Sequence, residues 1–197
     1  MSKEVTTQEL ALEIRDAALE MNALTYGDFT LSSGQKSGFY FDGRLLTLSP
    51  RGANLIGRAL LPLIRMAGAD AVGGPTLAAD PMVASIVLLS GLDEGKPLPG
   101  FIVRKETKEH GTGKQIEGPL PQGAKVAIID DTCSTAGSLF HAIRAAEEAG
   151  CHVVLVATVL DRNMGGGTRL HDAGYTYRTL LEADASGEIT PAKHQDS

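Results

Sequence analysis

The sequence predicts an α/β fold in which a central, mostly parallel sheet is flanked by helices. Three observations carry that prediction. Short segments rich in Val, Ile or aromatic residues, "ADAVGG", "PGFIVRK", "AKVAIIDD", "HVVLVATVLD" and "YTYRTLL", read as strands. Helix-length patterns separate several of them, as crossover connections between parallel strands require. The central strands are apolar on both faces, which suits a sheet covered on both sides. With 197 residues and 43% hydrophobic content the chain is long enough for one substantial core and short for two, so 1–197 is read as a single domain.

Taken in order, Thr6-x-x-Glu9 is a capping box, and Leu10, Ile14, Ala17 and Met21 then recur at helical spacing. From Thr25 to Leu48, "TYGDFTLSSGQKSGFYFDGRLL" loses that period to Gly, Ser and aromatics and reads as short irregular strands and turns. Residues 1–48 are thus a helix followed by a hood-like segment. Pro50 to Met66 is helical again, with Leu55, Ala59 and Leu63 on one side, and Pro62 is expected to kink or shorten it. In "DPMVASIVLLSG", Asp80 is placed as the N-cap, Pro81 at the first helical position and Gly91 at the C-terminal end. A further helix is expected from Ser138 to Glu148, closed by Gly150. "GTG" at 111–113 and "GGG" at 165–167 lack dinucleotide or P-loop spacing and read as turns. The tail 182–197 is expected to be poorly ordered.

Composition removes several function classes. The net charge of -6 argues against a general nucleic-acid binder. No stretch reaches the apolar length of a membrane span, and the N-terminus lacks the layout of a signal peptide. Cys133 and Cys151 form neither a metal-ligand spacing nor a disulfide framework, so a reducing, cytoplasmic location is expected.

The chemistry concentrates in "KVAIIDDTCSTAGSLFHAIRAAEEAG". Ligands of open parallel sheets bind beyond the carboxyl ends of the strands, which is where Asp130 and Asp131 stand. The loop Thr132 to Gly137 then leads to a helix N-terminus that favours an anion, and the hydroxyls of Thr132, Ser134, Thr135 and Ser138 add donors. Helix end and hydroxyls suit a phosphate, while carboxylates suit sugar O–H groups, so a phosphorylated ribose fits. An isolated Asp pair would more simply cap the next helix, but that helix begins several residues on. A receiver-type acidic metal pocket would want a further acid from the first strand, and "ADAVGG" supplies none at its end. Cys133 has no histidine beside it in sequence and reads as loop filling, and His141 and His152 as ordinary helix and strand-end residues. Arg104, Lys105, Lys108, His110 and Lys114 gather cations in a Gly-rich stretch of an acidic chain, which points to an anionic ligand and a lid that excludes water.

"VAIIDDTCSTAGS" resembles the 5-phosphoribosyl 1-pyrophosphate (PRPP) motif of type I phosphoribosyltransferases. "GDFTLSSGQKSGFYFDGRLL" and "RKETKEHGTGKQIEG" are similar to the N-terminal and loop signatures of the orotate phosphoribosyltransferase family, the similarity covering most of Tyr26 to Arg162. The resemblance implies that family's fold and the reaction of PRPP with orotate to give orotidine 5'-monophosphate and pyrophosphate. It also implies dependence on magnesium held mainly by substrate rather than by direct protein ligands, and a homodimer whose loop reaches the neighbouring site. It assigns PRPP contacts to Arg104, Lys105, Lys108, His110, Asp130, Asp131, Thr132, Cys133, Ser134, Thr135, Ala136, Gly137 and Ser138, with Lys108, Asp130 and Asp131 closest to the chemistry. Orotate contacts fall to Ser134 and Arg162, with Tyr40 and Phe41, otherwise packing groups, flanking the ring. Ser32 and Ala78 stand where many members carry lysines, so "GGPTLAAD" would meet pyrophosphate mainly through backbone N–H groups and Thr76. The competing readings are a phosphoribosyltransferase for another nucleobase and a non-catalytic nucleotide-sensing regulator, for which the lid would be superfluous.

Overall fold

The computed structural model of the chain describes residues 6–30, 34, 36–105 and 115–193. The elements, in order, are α1 (Thr7–Glu20), β1 (Leu24–Thr30), β2 (Lys36–Phe41), α2 (Gly43–Thr47), α3 (Pro50–Met66), β3 (Ala71–Pro75), α4 (Asp80–Leu92), β4 (Gly100–Val103), β5 (Ile116–Glu117), β6 (Lys125–Cys133), α5 (Gly137–Glu148), β7 (His152–Asp161), α6 (Gly166–Asp172), β8 (Tyr177–Ala183) and β9 (Ile189–Pro191). β1 and β2 pair antiparallel as a small separate ribbon. The other strands form one sheet in the order β5-β4-β3-β6-β7-β8-β9, parallel from β4 to β8 and antiparallel at both edges.

That order places the site. From β3 the chain moves outward to β4, then returns to lay β6 on the other side of β3. The loops leaving β3 and β6 therefore diverge to opposite faces, and a crevice opens between them at the carboxyl ends, the switch point where α/β sheets bind ligands.

Two apolar layers hold the sheet. Alternation along β6 sends Ala127 and Ile129 into the layer beneath α1, α3 and α4, and Val126 and Ile128 into the layer beneath α5. The alternation continues through the acid pair: Asp130 faces α5 and Asp131 faces the other layer. Helix starts follow side-chain chemistry. Thr6 and Glu9 complete the capping box on α1, and Ser49 Oγ accepts from Gly52 N at 2.9 Å at the start of α3. Such caps contribute about 1 kcal/mol each.

Four expectations are corrected. Asp80 lies inside α4, whose N-cap is Ala79, because its carboxylate is turned instead to Thr76 Oγ1 at 2.8 Å. Pro62 does not shorten α3, which continues to Met66 with Leu61, Leu63 and Ile64 buried around it. "GGG" opens α6, anchored by fully buried Leu170. The tail is ordered through 193: β8 runs to Ala183, β9 adds an edge strand, and Ile189 fills the core at 1% exposure. The turn expected at 111–113 and the tail residues 194–197 lie outside the described residues.

Candidate active site

A cleft of about 590 Å³ occupies the switch point. One wall is Tyr40–Arg44, leading from β2 into α2; the second is the loop Pro75–Ala78 after β3; the third is Asp130–Thr132 with Ser134–Ser138. Lys105 and His141 complete the lining.

Asp130 is 4% exposed and is held by two donors, Ser138 Oγ at 2.8 Å and the Asp131 N–H at 2.9 Å. Burial, then the charge of Asp131, pushes its carboxyl up to about 7. Burial also raises Asp131, opposed by the Thr132 hydroxyl at 3.1 Å. The start of α2 is pressed onto this acid: a Cβ on Gly43 would lie 2.2 Å from Asp131 Oδ2, so only glycine admits the approach. A second close approach joins the two loop-bearing strands, since a Cβ on Gly74 would lie 2.0 Å from the Ile129 carbonyl oxygen.

The loop after β6 is fixed from behind. Its carbonyls at Cys133 and Ser134 accept from Arg162 N at 2.8 Å and Gly166 N at 2.9 Å, and the Arg169 guanidinium donates to the Thr135 carbonyl. The turn into α5 passes through Ala136 in the left-handed region, φ 62°. The peptide Thr76-Leu77 in the facing loop is cis.

Of the residues the sequence singled out for the site, Tyr40, Phe41, Lys105, Asp130, Asp131, Thr132, Ser134, Thr135, Ala136, Gly137 and Ser138 line this one cleft. Cys133 is a correction as a side-chain contact. Its thiol is fully buried beneath the loop, and burial together with the charge of Asp161 raises it to about 11. Arg104, assigned to a loop that reaches the neighbouring site, does not line the cleft of its own subunit, its guanidinium lying 3.6 Å from Glu117. Arg162 borders the cleft from next door. It donates to the Phe41 carbonyl at 3.3 Å, lies over the Phe39 ring, and lines a neighbouring cleft of about 490 Å³ between β2 and the 183–187 turn. Lys108, His110 and Ser32 lie outside the described residues.

Asp42, Arg44 and His141 were missed as site residues. The signal for the first two was the acid-Gly-base order in "FDGRLL". His141 had none: its Nε2 lies 2.9 Å from the Arg104 carbonyl, 37 residues away, and 3.0 Å from Gln115 Nε2, joining α5 to the strand ends on either side of the Lys-rich stretch.

The donor set facing the cleft is hard oxygen, three carboxylates and several hydroxyls, which suits magnesium. Among the described residues no group of three or more His, Cys, Asp or Glu could hold a metal by itself. A magnesium ion carried on a phosphorylated substrate fits such a site.

Fold and site define a class. Residues 77–196 match the family model described as phosphoribosyl transferase domain. An orotate phosphoribosyltransferase of Rhodopirellula baltica is 42% identical over 186 residues, covering 91% of this chain and 95% of that protein. The crystal structure of Mycobacterium tuberculosis orotate phosphoribosyltransferase with Fe(III) dicitrate superposes with a TM-score of 0.74 at 36% identity, covering 89% of this chain and 95% of that one. The same enzyme in complex with PRPP gives a TM-score of 0.68 at 30% identity, covering 92% and 91%. The chain belongs to the orotate phosphoribosyltransferases of the phosphoribosyl transferase family. No helix among the described residues is long and apolar enough to cross a membrane.

Proposed function

We propose that this chain transfers the 5-phosphoribosyl group from PRPP to orotate, releasing pyrophosphate and forming orotidine 5'-monophosphate in the cytoplasmic synthesis of pyrimidine nucleotides. The observation that carries the reading is the acid pair on β6 followed by the hydroxyl-rich entry to α5, set opposite the loop after β3 at the switch point.

In this reading Asp130 and Asp131 accept from the ribose hydroxyls and set negative charge beside the cationic sugar ring of the transition state. Thr132, Ser134, Thr135 and Ser138, with the N–H groups of Ala136 and Gly137, bind the 5-phosphate. Arg162 meets the orotate carboxylate, and Tyr40 and Phe41 flank the ring. Asp130 and Asp131 are the oxygen donors that would steady a substrate-carried magnesium, which would supply positive charge at the departing pyrophosphate. Orotate brings an anionic ring nitrogen, so positioning rather than a strong protein base carries the transfer.

A homodimer completes the site. Leu88 and Leu92, one turn apart on α4, are 62% and 75% exposed, and Met66 at the end of α3 is 76% exposed, apolar surface that a partner would cover. Arg104 is not among the residues lining its own cleft and lies 3.6 Å from Glu117, which supports a loop in which it acts with Lys108 and His110 on the partner's site. Mixing Lys108→Ala with Asp131→Asn subunits tests this. Random pairing restores one whole site in each mixed dimer and about a quarter of wild-type activity overall. If mass spectrometry finds mixed dimers and activity stays at the level of the separate variants, the shared site is wrong.

The activity itself is tested by following loss of orotate absorbance, omitting PRPP and magnesium in turn. Loss that needs both is expected. Consumption of uracil or a purine in place of orotate would install another base, and binding of PRPP without turnover of any base would make the chain a sensor.

A further inference from the structure

We propose that Arg44 binds the diphosphate of PRPP and is the principal fixed cation on the α2 wall of the cleft. The inference rests on the functional reading above and adds a residue to it. Charge balance raises the question. The described lining holds three carboxylates, Asp42, Asp130 and Asp131, against the cations Lys105 and Arg44. The loop Pro75–Ala78, which faces the same space, offers no charged side chain. A diphosphate entering between them needs positive charge from elsewhere on the walls.

Arg44 is built to supply it. Asp42 caps α2 by accepting from the Arg44 N–H at 3.1 Å, and the same carboxylate holds the guanidinium at its Nε, 3.0 Å, and its Nη2, 3.1 Å. The fork is therefore oriented before a ligand arrives. Asp42 is the only acceptor bonded to it among the described residues, and a guanidinium carries five donors, so donors remain for a ligand. The position is fixed as well: Gly43, the preceding residue, is the one whose Cβ would strike Asp131. Arg44 thus stands at a set offset from the carboxylate assigned to the ribose.

Arg44 and Arg162 both act electrostatically on Asp131, from different sides. Arg162 lies over Phe39 and lines the neighbouring cleft, whereas Arg44 lines the cleft that contains the Pro75–Ala78 loop. Two anionic substrates meet over Asp131. Arg162 is the cation assigned to orotate, and Arg44, which lines the same cleft as the Pro75–Ala78 loop, is left for the diphosphate.

The test compares Arg44→Gln, Arg44→Lys and Arg51→Gln, the last removing an exposed charge on α3 outside the cleft. Steady-state kinetics give the Michaelis constants for PRPP and orotate, and calorimetry gives the affinity for magnesium pyrophosphate. Arg44→Gln is expected to weaken PRPP and pyrophosphate by about tenfold or more while orotate shifts by less than about twofold, as loss of a charge-assisted contact to one substrate predicts. Arg44→Lys should recover part of the loss, Arg51→Gln should match wild type, and melting temperatures should agree. Unchanged PRPP and pyrophosphate constants overturn the proposal, and so does a shift confined to orotate, which would make Arg44 the carboxylate reader. A wild-type chain that binds pyrophosphate through Arg44 but does not consume orotate would sink the base assignment and leave Arg44 in place.

Discussion

Two loops leave neighbouring parallel strands at the same edge of the sheet and reach the cleft by different chemistry. The exit of β6 presents Asp130, Asp131, Thr132, Ser134, Thr135 and Ser138 within nine residues. The exit of β3, "GGPTLA", presents one polar side chain, Thr76, and that hydroxyl is already given to Asp80. The first loop works through its side chains; the second works through the path of its backbone, which Gly74 allows to run against β6. Function on the β6 side should therefore respond to changes of charge, and on the β3 side to changes of shape.

The largest expected effect is on the β6 side. Asp131→Asn keeps the shape and removes the charge, and a hydrogen bond to a charged group is worth about 1.5–3 kcal/mol, so transfer should slow by roughly tenfold to a hundredfold. Circular dichroism should show the fold retained; near wild-type turnover would break the comparison.

Gly74→Ala is the matching change of shape. The new methyl meets the Ile129 carbonyl, part of the backbone of β6, so the strands must move apart at a cost of about 1–3 kcal/mol. Denaturant melts should show that loss, with activity falling although no polar group has been touched. An unaltered midpoint would mean the two strands have slack.

Asp130→Asn sharpens the contrast through pH. The Asp130 carboxyl is raised by burial and by Asp131 from 3.8 to about 7, so the folded state binds the proton more tightly than the unfolded chain. Stability from this group is full below the ordinary carboxylate range and is lost as pH rises toward about 7. The Asn variant, which cannot ionise, should be more stable than wild type above neutral pH, by on the order of 1–3 kcal/mol, with the gap closing near pH 4. A gap that widens on acidification contradicts the assignment.

The smallest effect belongs to Thr76→Val. It removes one hydroxyl from Asp80 and should cost about 1 kcal/mol and a few-fold at most in the PRPP Michaelis constant. A loss as deep as that of Asp131→Asn would show that the β3 loop also works through its side chain.

The same contrast explains what could be read in the sequence. β6, β7 and α5 were legible because their period and their polar termini point the same way, and the acid pair announced the site. Features that depend on a side chain's particular partner rather than on period were not. Asp80 looks like a cap and serves Thr76; Cys133 sits in the ligand motif with its thiol in the core; His141 finds Arg104 across the fold. α6 begins within three glycines, which local propensity would not read as helix, and owes its place to Leu170 and Arg169. β9 was hidden in a polar tail with only Ile189 to mark it.

The antiparallel strands at the two margins of the sheet bear on how the protein behaves when crowded. A long parallel sheet that simply stopped would expose a row of unpaired N–H and carbonyl groups on which another molecule could add a strand. Here one margin is Ile116–Glu117 and the other Ile189–Pro191, each too short to template a ladder, and Pro191 lacks an N–H to offer. These two margins of the large sheet therefore offer an incoming strand little to pair with, and lengthening either one with an apolar segment would remove that protection.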